Sequence, residues 1–207
     1  MTRLYAAARE IVAWLARRNV PTCIIGGLAV ARWGEPRLTR DVDLTVLVER
    51  DREEKLVDAL LERFHGRRTD ARAFALRYRV LLLETDSGVP VDIALGATAF
   101  EAGSVARSSL HEFEGGCELP TCGAEDLIVH KAVAGRPRDV DDLVGIVNRQ
   151  YGRLDLAYVR RWLSAFSTID GMSDVRDRFE AVLTSAAATA RRARRSKGTR
   201  REPRRRR

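Results

Sequence analysis

From Asp41 to Val48 the side chains alternate in kind. Val42, Leu44, Val46 and Val48 fall on one side, and Asp41, Asp43, Thr45 and Leu47 on the other. A period of two marks a β-strand with one buried face. It puts the two aspartates on the same side, roughly 6.5–7 Å apart along the backbone. A carboxylate cannot face an apolar core unpaired. The strand must therefore turn its valines inward and its acids toward solvent, a partner or a metal. A pair of acids at a solvated strand start has the same pattern, so the rest of the chain decides between these.

A third acid sits in a second strand. Val89, Val91, Ile93 and Leu95 share one face, and Asp92 lies on the other, between Pro90 and Ala94. Pro90 also suits an edge strand, where Asp92 would meet only water. If this strand lies beside that of Asp41 and Asp43, three carboxylates converge, as a two-metal site requires. Upstream, the β-rich run Thr22 to Ile25 stops at Gly26-Gly27 before a short helix, Leu28 to Trp33. Such a turn is either only tight or a place where backbone N–H groups approach a phosphate. Carboxylate ligands and a phosphate cradle together describe a site for Mg²⁺–nucleotide chemistry.

Around these motifs the spacing predicts an amphipathic helix over 3–18, from Leu4, Ala8, Ile11, Val12 and Leu15, and another over 51–64. Arg77 to Thr85 reads as a strand that pairs with the strand of Asp92 through the turn Asp86-Ser87-Gly88. Residues 98–123 read as a short helix and then an irregular or β stretch. Helices follow at about 124–134, 137–150, 155–166 and 173–189. The expected fold class is α+β, a small mixed β-sheet flanked by helices, with a helical C-terminal part. The expected organisation is a core over 1–123, a helical part over 124–190 and a basic tail over 191–207, disordered or a frayed helical extension.

Charge is split along the chain. Residues 191–207 hold ten Arg, one Lys and one Glu, a local net of +10, while the whole chain carries +8, which leaves residues 1–190 at −2. A tail of this kind either binds nucleic acid through phosphates or is simply solvated. There is no run of eighteen apolar residues, and the first eighteen residues interleave Arg9, Glu10, Arg17 and Arg18 with apolar ones. Neither a membrane span nor a secretory leader is expected. Three cysteines, Cys23, Cys117 and Cys122, are too few for a disulfide scaffold and fit a reduced cytoplasm. They lack the paired spacing of a zinc site, and His65, His111 and His130 lack ligand spacing.

Taken together, Gly26-Gly27, the run Pro36-Arg37-Leu38-Thr39-Arg40-Asp41-Val42-Asp43-Leu44 and Val91-Asp92-Ile93 resemble the nucleotidyltransferase fold of the DNA polymerase β superfamily. Within it the chain most resembles the AbiEii-type toxin nucleotidyltransferases. The resemblance spans about residues 20–150. It extends to Glu125 through Lys131 and to Gly135-Arg136-Pro137-Arg138-Asp139-Val140-Asp141-Asp142-Leu143, where either Asp139 or Asp142 fills the last acidic position. It implies that Asp41, Asp43 and Asp92 are catalytic and hold two Mg²⁺ ions, with Asp92 also helping to activate an acceptor hydroxyl. It implies that Gly26, Gly27, Arg40, Lys131 and Arg136 bind the nucleotide. The expected activity is transfer of a nucleoside monophosphate from an NTP to a hydroxyl, such as a tRNA 3′ end, by a toxin with a cognate antitoxin. A small-molecule, antibiotic-type nucleotidyltransferase and an inactive nucleic-acid-binding relative are the alternatives. Replacing Lys131 by Ala is expected to weaken NTP use and leave the fold intact.

Overall fold

A computed structural model describes residues 2–198; Met1 and residues 199–207, the end of the basic tail, lie outside the described residues. The chain divides into two compact units, Met1–Leu127 and Ile128–Arg207.

The first unit is built on a mixed sheet. Its strands are β1 (Thr22–Ile24), β2 (Val42–Leu47), β3 (His65–Gly66), β4 (Val80–Glu84), β5 (Pro90–Gly96), β6 (Ser109–Phe113) and β7 (Cys117–Thr121). They lie in the order β3-β4-β5-β2-β1-β7-β6. The β2–β5 and β1–β7 pairs are parallel, and the other neighbours are antiparallel. Alternation decides which face is dry. Val42, Leu44 and Val46 of β2, Val91, Ile93 and Leu95 of β5, and Leu81 and Leu83 of β4 all enter one apolar core. Helix α1 (Arg3–Ala16) closes it with Ile11, Trp14 and Leu15, and α3 (Glu53–Arg63) with Leu56, Val57 and Leu60. Spacings of three and four put these residues on one stripe of each helix. Each buried Leu, Ile or Val contributes about 1.5–3 kcal/mol.

The opposite face carries Asp43 and Thr45 of β2 and Asp92 and Ala94 of β5. Helix α2 (Gly26–Trp33) and helix α5 (Ala99–Ala106) pack against β2. Thr45 is fully buried and Ser104 of α5 comes within 4.0 Å of Cys23, so α5 seals the end of β2 beyond Thr45. Asp43 and Asp92, nearer the starts of their strands, stay half-buried.

One expectation needs correction. The strand expected from Arg77 begins only at Val80. Residues Ala71–Tyr78 form a helix, α4, whose Ala71 and Ala75 are buried, and Arg79 ends it in the left-handed region (φ 57°). Arg79 N–H donates to Ala75 O at 2.8 Å, and its guanidinium donates to Leu95 O and to Glu53. The stretch 98–123 resolves into α5 and the β6–β7 hairpin, turned by Gly115 and Gly116 with φ 78° and 73°.

Helix α6 (Ala124–Ala134) leads into the second unit, which holds α7 (Pro137–Gln150), α8 (Leu156–Phe166) and α9 (Val175–Gly198). Pro137 opens α7 at a position where its missing N–H costs nothing. Leu143, Ile146, Val147 and Gln150 form the buried stripe of α7, and α9 packs on both α7 and α8. The basic segment is helical up to Gly198, which extends the last helix beyond the expected 189.

Candidate active site

The acids meet because β2 and β5 are parallel neighbours in register. Asp43 is the direct partner of Asp92, as Val42 is of Val91 and Leu44 of Ile93. Partners in a parallel pair project to the same side, about 4.8 Å apart. Asp41, two residues before Asp43, lies close enough to Asp92 to push its carboxyl toward the neutral form. Burial is the larger cause of that rise, and the Arg67 guanidinium opposes both.

The glycines make room for these acids. Gly26 has φ +59°, and a Cβ there would stand 1.9 Å from Asp43 Oδ2. A Cβ on Gly27 would stand 2.4 Å from Thr39 Oγ1. Thr39 in turn donates its hydroxyl to Asp41 Oδ1 at 2.8 Å. Ile25 N–H donates to Asp43 O at 2.9 Å and fixes the start of α2 against β2. No side chain caps the N-terminus of α2, so its backbone donors begin beside the carboxylates. Arg40 is exposed and immediately precedes Asp41.

The first unit thus brings together Gly26, Gly27, Asp41, Asp43 and Asp92. Among the described residues, no group of three His, Cys, Asp or Glu side chains is gathered tightly enough to hold a metal ion as it stands. Asp41 receives Thr39, and Asp92 receives Arg67 instead. The donor set nonetheless fits Mg²⁺, which takes hard carboxylate oxygens. The bare Gly26 leaves the Asp43 carboxylate its space.

The sequence from residue 24 to residue 204 matches the family described as "Nucleotidyl transferase AbiEii toxin, Type IV TA system". The chain belongs to this AbiEii nucleotidyltransferase family. Solved structures of nucleotidyltransferases resemble it more distantly. An antigenic nucleotidyltransferase-like protein from Paracoccidioides brasiliensis is 15% identical, covering 86% of this chain and 92% of its own, with a TM-score of 0.47. ANT(2")-Ia in complex with adenylyl-2"-tobramycin is 22% identical over 79% of this chain and 97% of its own, with a TM-score of 0.48. The lincosamide antibiotic adenylyltransferase LnuA, lincomycin-bound, is 13% identical over 66% and 92%, with a TM-score of 0.43. No curated protein matches the chain.

The remaining expected site residues of this AbiEii-family chain lie in the second unit. Lys131 is buried, and its Nζ stands 2.9 Å from Asp139 Oδ1 and 2.8 Å from Asp142 Oδ2. Both candidates for the last acidic position therefore engage the same lysine. Arg136 is largely exposed, and its Nε donates to Asp139 Oδ2 at 2.5 Å. Burial alone would raise the Asp139 carboxyl, but hydrogen bonds from Arg136 and Lys131 outweigh it and hold the carboxyl below its ordinary value.

Two residues escaped the sequence reading. Thr39 stood inside the quoted motif, two positions before Asp41, and a hydroxyl at that offset is the signal that could have found it. Arg67 lies in a stretch where periodicity marks no element, and nothing local ties it to Asp92, 25 residues on.

Proposed function

We propose that this nucleotidyltransferase moves a nucleoside monophosphate from an NTP to the hydroxyl of an RNA 3′ end, tRNA being the leading candidate. The observation that carries the site is the register pair Asp43–Asp92, with Asp41 beside it on the half-buried face. Asp41, Asp43 and Asp92 would hold Mg²⁺, which supplies charge neutralisation at the transferred phosphate. The N–H groups at the start of α2 suit an anionic phosphate. Arg40, exposed and next to Asp41, is the cation assigned to the triphosphate. Lys131 is already engaged by Asp139 and Asp142.

The acceptor oxygen attacks the α-phosphorus in line. The bond from that phosphorus to the bridging oxygen breaks, and pyrophosphate leaves with the electron pair. Asp92, the register partner of Asp43, accepts the proton of the hydroxyl. The net charge of +10 over residues 191–207 supports a polyanionic acceptor. The family is described as the toxin of a type IV toxin–antitoxin system, so we also propose a cognate antitoxin. No helix among the described residues is long and apolar enough to cross a membrane.

The test is to incubate the protein with each labelled NTP and, in separate arms, total tRNA, an aminoglycoside or a lincosamide, with Asp43→Asn and Asp92→Asn in parallel. Label should enter RNA, and each variant should lower transfer by about 100-fold or more. Label that enters an aminoglycoside or lincosamide but not RNA would make the acceptor a small molecule. Transfer that survives in both variants would remove the site.

A further inference from the structure

The row of sheet residues that holds the acids does not end at Asp92. Asp43 pairs with Asp92, and Asp92 pairs with Leu82 on β4. On the next strand Gly66 pairs with Leu83, and the following residue, Arg67, donates its N–H to Leu82 O at 3.0 Å. Arg67, Leu82, Asp92 and Asp43 therefore stand in one transverse row. Arg67 and Asp92 are two strand spacings apart, roughly 10 Å. The Arg67 guanidinium reaches past half-buried Leu82 and donates to Asp92 Oδ1.

This pair is far less exposed than the Arg52–Glu49 pair. The side chains of Arg67 and Asp92 are 30% and 35% exposed, against 74% each for Arg52 and Glu49. The neighbouring Arg68 instead pairs with Asp70, two residues away, in the open. Arg67 is also anchored through its backbone, so its charge is delivered to the acids by the sheet itself. Three carboxylates on one half-buried face repel one another, and a nearby cation offsets that repulsion.

We propose that Arg67 is a built-in counter-cation: it occupies Asp92 in place of a divalent ion and must yield the carboxylate when the ion binds. This rests on the reading of Asp41, Asp43 and Asp92 as metal ligands. The guanidinium takes one of the oxygens that an ion would need, and its positive charge opposes a second cation nearby. Arg67 is thus a positioning residue that keeps the acids assembled and sets how tightly the free protein takes up metal.

The test is a Mn²⁺ titration of the full-length protein without nucleotide, followed by electron paramagnetic resonance of free Mn²⁺, with thermal melting at each Mn²⁺ concentration. The variants are Arg67→Gln, Arg67→Lys, Arg68→Gln and Asp43→Asn. Arg67→Gln should bind Mn²⁺ roughly tenfold or more tightly than the parent, because a unit charge within a few ångströms is gone. It should melt lower without the ion and gain more from it, as tighter binding to the folded state requires. Arg67→Lys, which keeps a cation, should fall between, and Arg68→Gln should match the parent. If Mn²⁺ binding is lost in Asp43→Asn but unchanged or weaker in Arg67→Gln, the metal site stands and the counter-cation role is overturned. If no Mn²⁺ binding depends on Asp43, the metal reading falls and this inference falls with it.

Discussion

A single methyl group distinguishes alanine from Gly26, and the chain has no room for it. The residue sits at φ +59°, where an L side chain costs roughly 1–2 kcal/mol. The added carbon would also meet the Asp43 carboxylate. Gly26→Ala should therefore displace Asp43 as well as strain the backbone. A misplacement of about 1 Å can cost about 100-fold in rate. We expect Gly26→Ala to lose transfer by at least that factor while remaining folded, as checked by activity per folded molecule alongside circular dichroism. Activity within a few-fold of the parent would show that Asp43 is free to move without consequence. Spacing placed Asp41 and Asp43 on one strand face and Asp92 in a second strand, but the alternatives of a tight turn and solvated acids stayed open, and the family resemblance is what marked these residues with Gly26 and Gly27 as a site. Spacing and resemblance share one limit. They could not show that the glycines yield space to Asp43 and Thr39, since close approach is a property of the assembled sheet. The same holds for Arg67, whose link to Asp92 exists only because β3, β4 and β5 lie side by side.

Among the elements, those with a clean period were legible. The alternation of β2 and β5 marked both strands, and the stripe of α1 marked its helix to within two residues at the C-terminus. The start of β4 was misplaced because α4 is short, buries only Ala71 and Ala75, and is held by packing on α3 and β4. The order of the sheet, and with it the pairing of Asp43 with Asp92, depends on contacts between distant segments that no local pattern encodes. Lys131 shows the same limit and changes an expectation. It is a buried bridge from α6 to two aspartates of α7, so replacing it cannot be treated as a pure test of nucleotide binding. Lys131→Ala removes the buried cation that Asp139 and Asp142 share, while Arg136 still donates to Asp139, and breaking such a buried pair costs up to about 3–5 kcal/mol. The expected result is a clear fall in the urea midpoint of unfolding, with lost activity following lost fold. An unchanged midpoint combined with weaker NTP use would restore Lys131 to the nucleotide.

At the scale of the molecule the dominant fact is the asymmetry of charge: residues 1–190 carry a net of −2, and the last seventeen carry +10. The acids belong to the first unit and the basic segment to the end of the second, where α9 runs on to Gly198. Val175, Phe179 and Ala186 of α9 are buried and precede the basic segment. A chain ending at Ala190 therefore keeps those packing residues and loses the cations, which separates affinity from folding. If the acceptor is RNA, each phosphate neutralised by the tail releases counterions, and the logarithm of affinity falls with that of salt by about 0.7 per contact on a single strand. Truncation should then weaken RNA binding strongly at low salt and little at high salt, flattening the salt dependence, while pyrophosphate release at saturating RNA stays near the parent rate. The comparison is a pair of RNA titrations at two salt concentrations with transfer assayed in each. Equal affinities at both salts would make the tail a bystander. The RNA acceptor would then lose its support from charge, because the mildly acidic body offers a polyanion no general attraction.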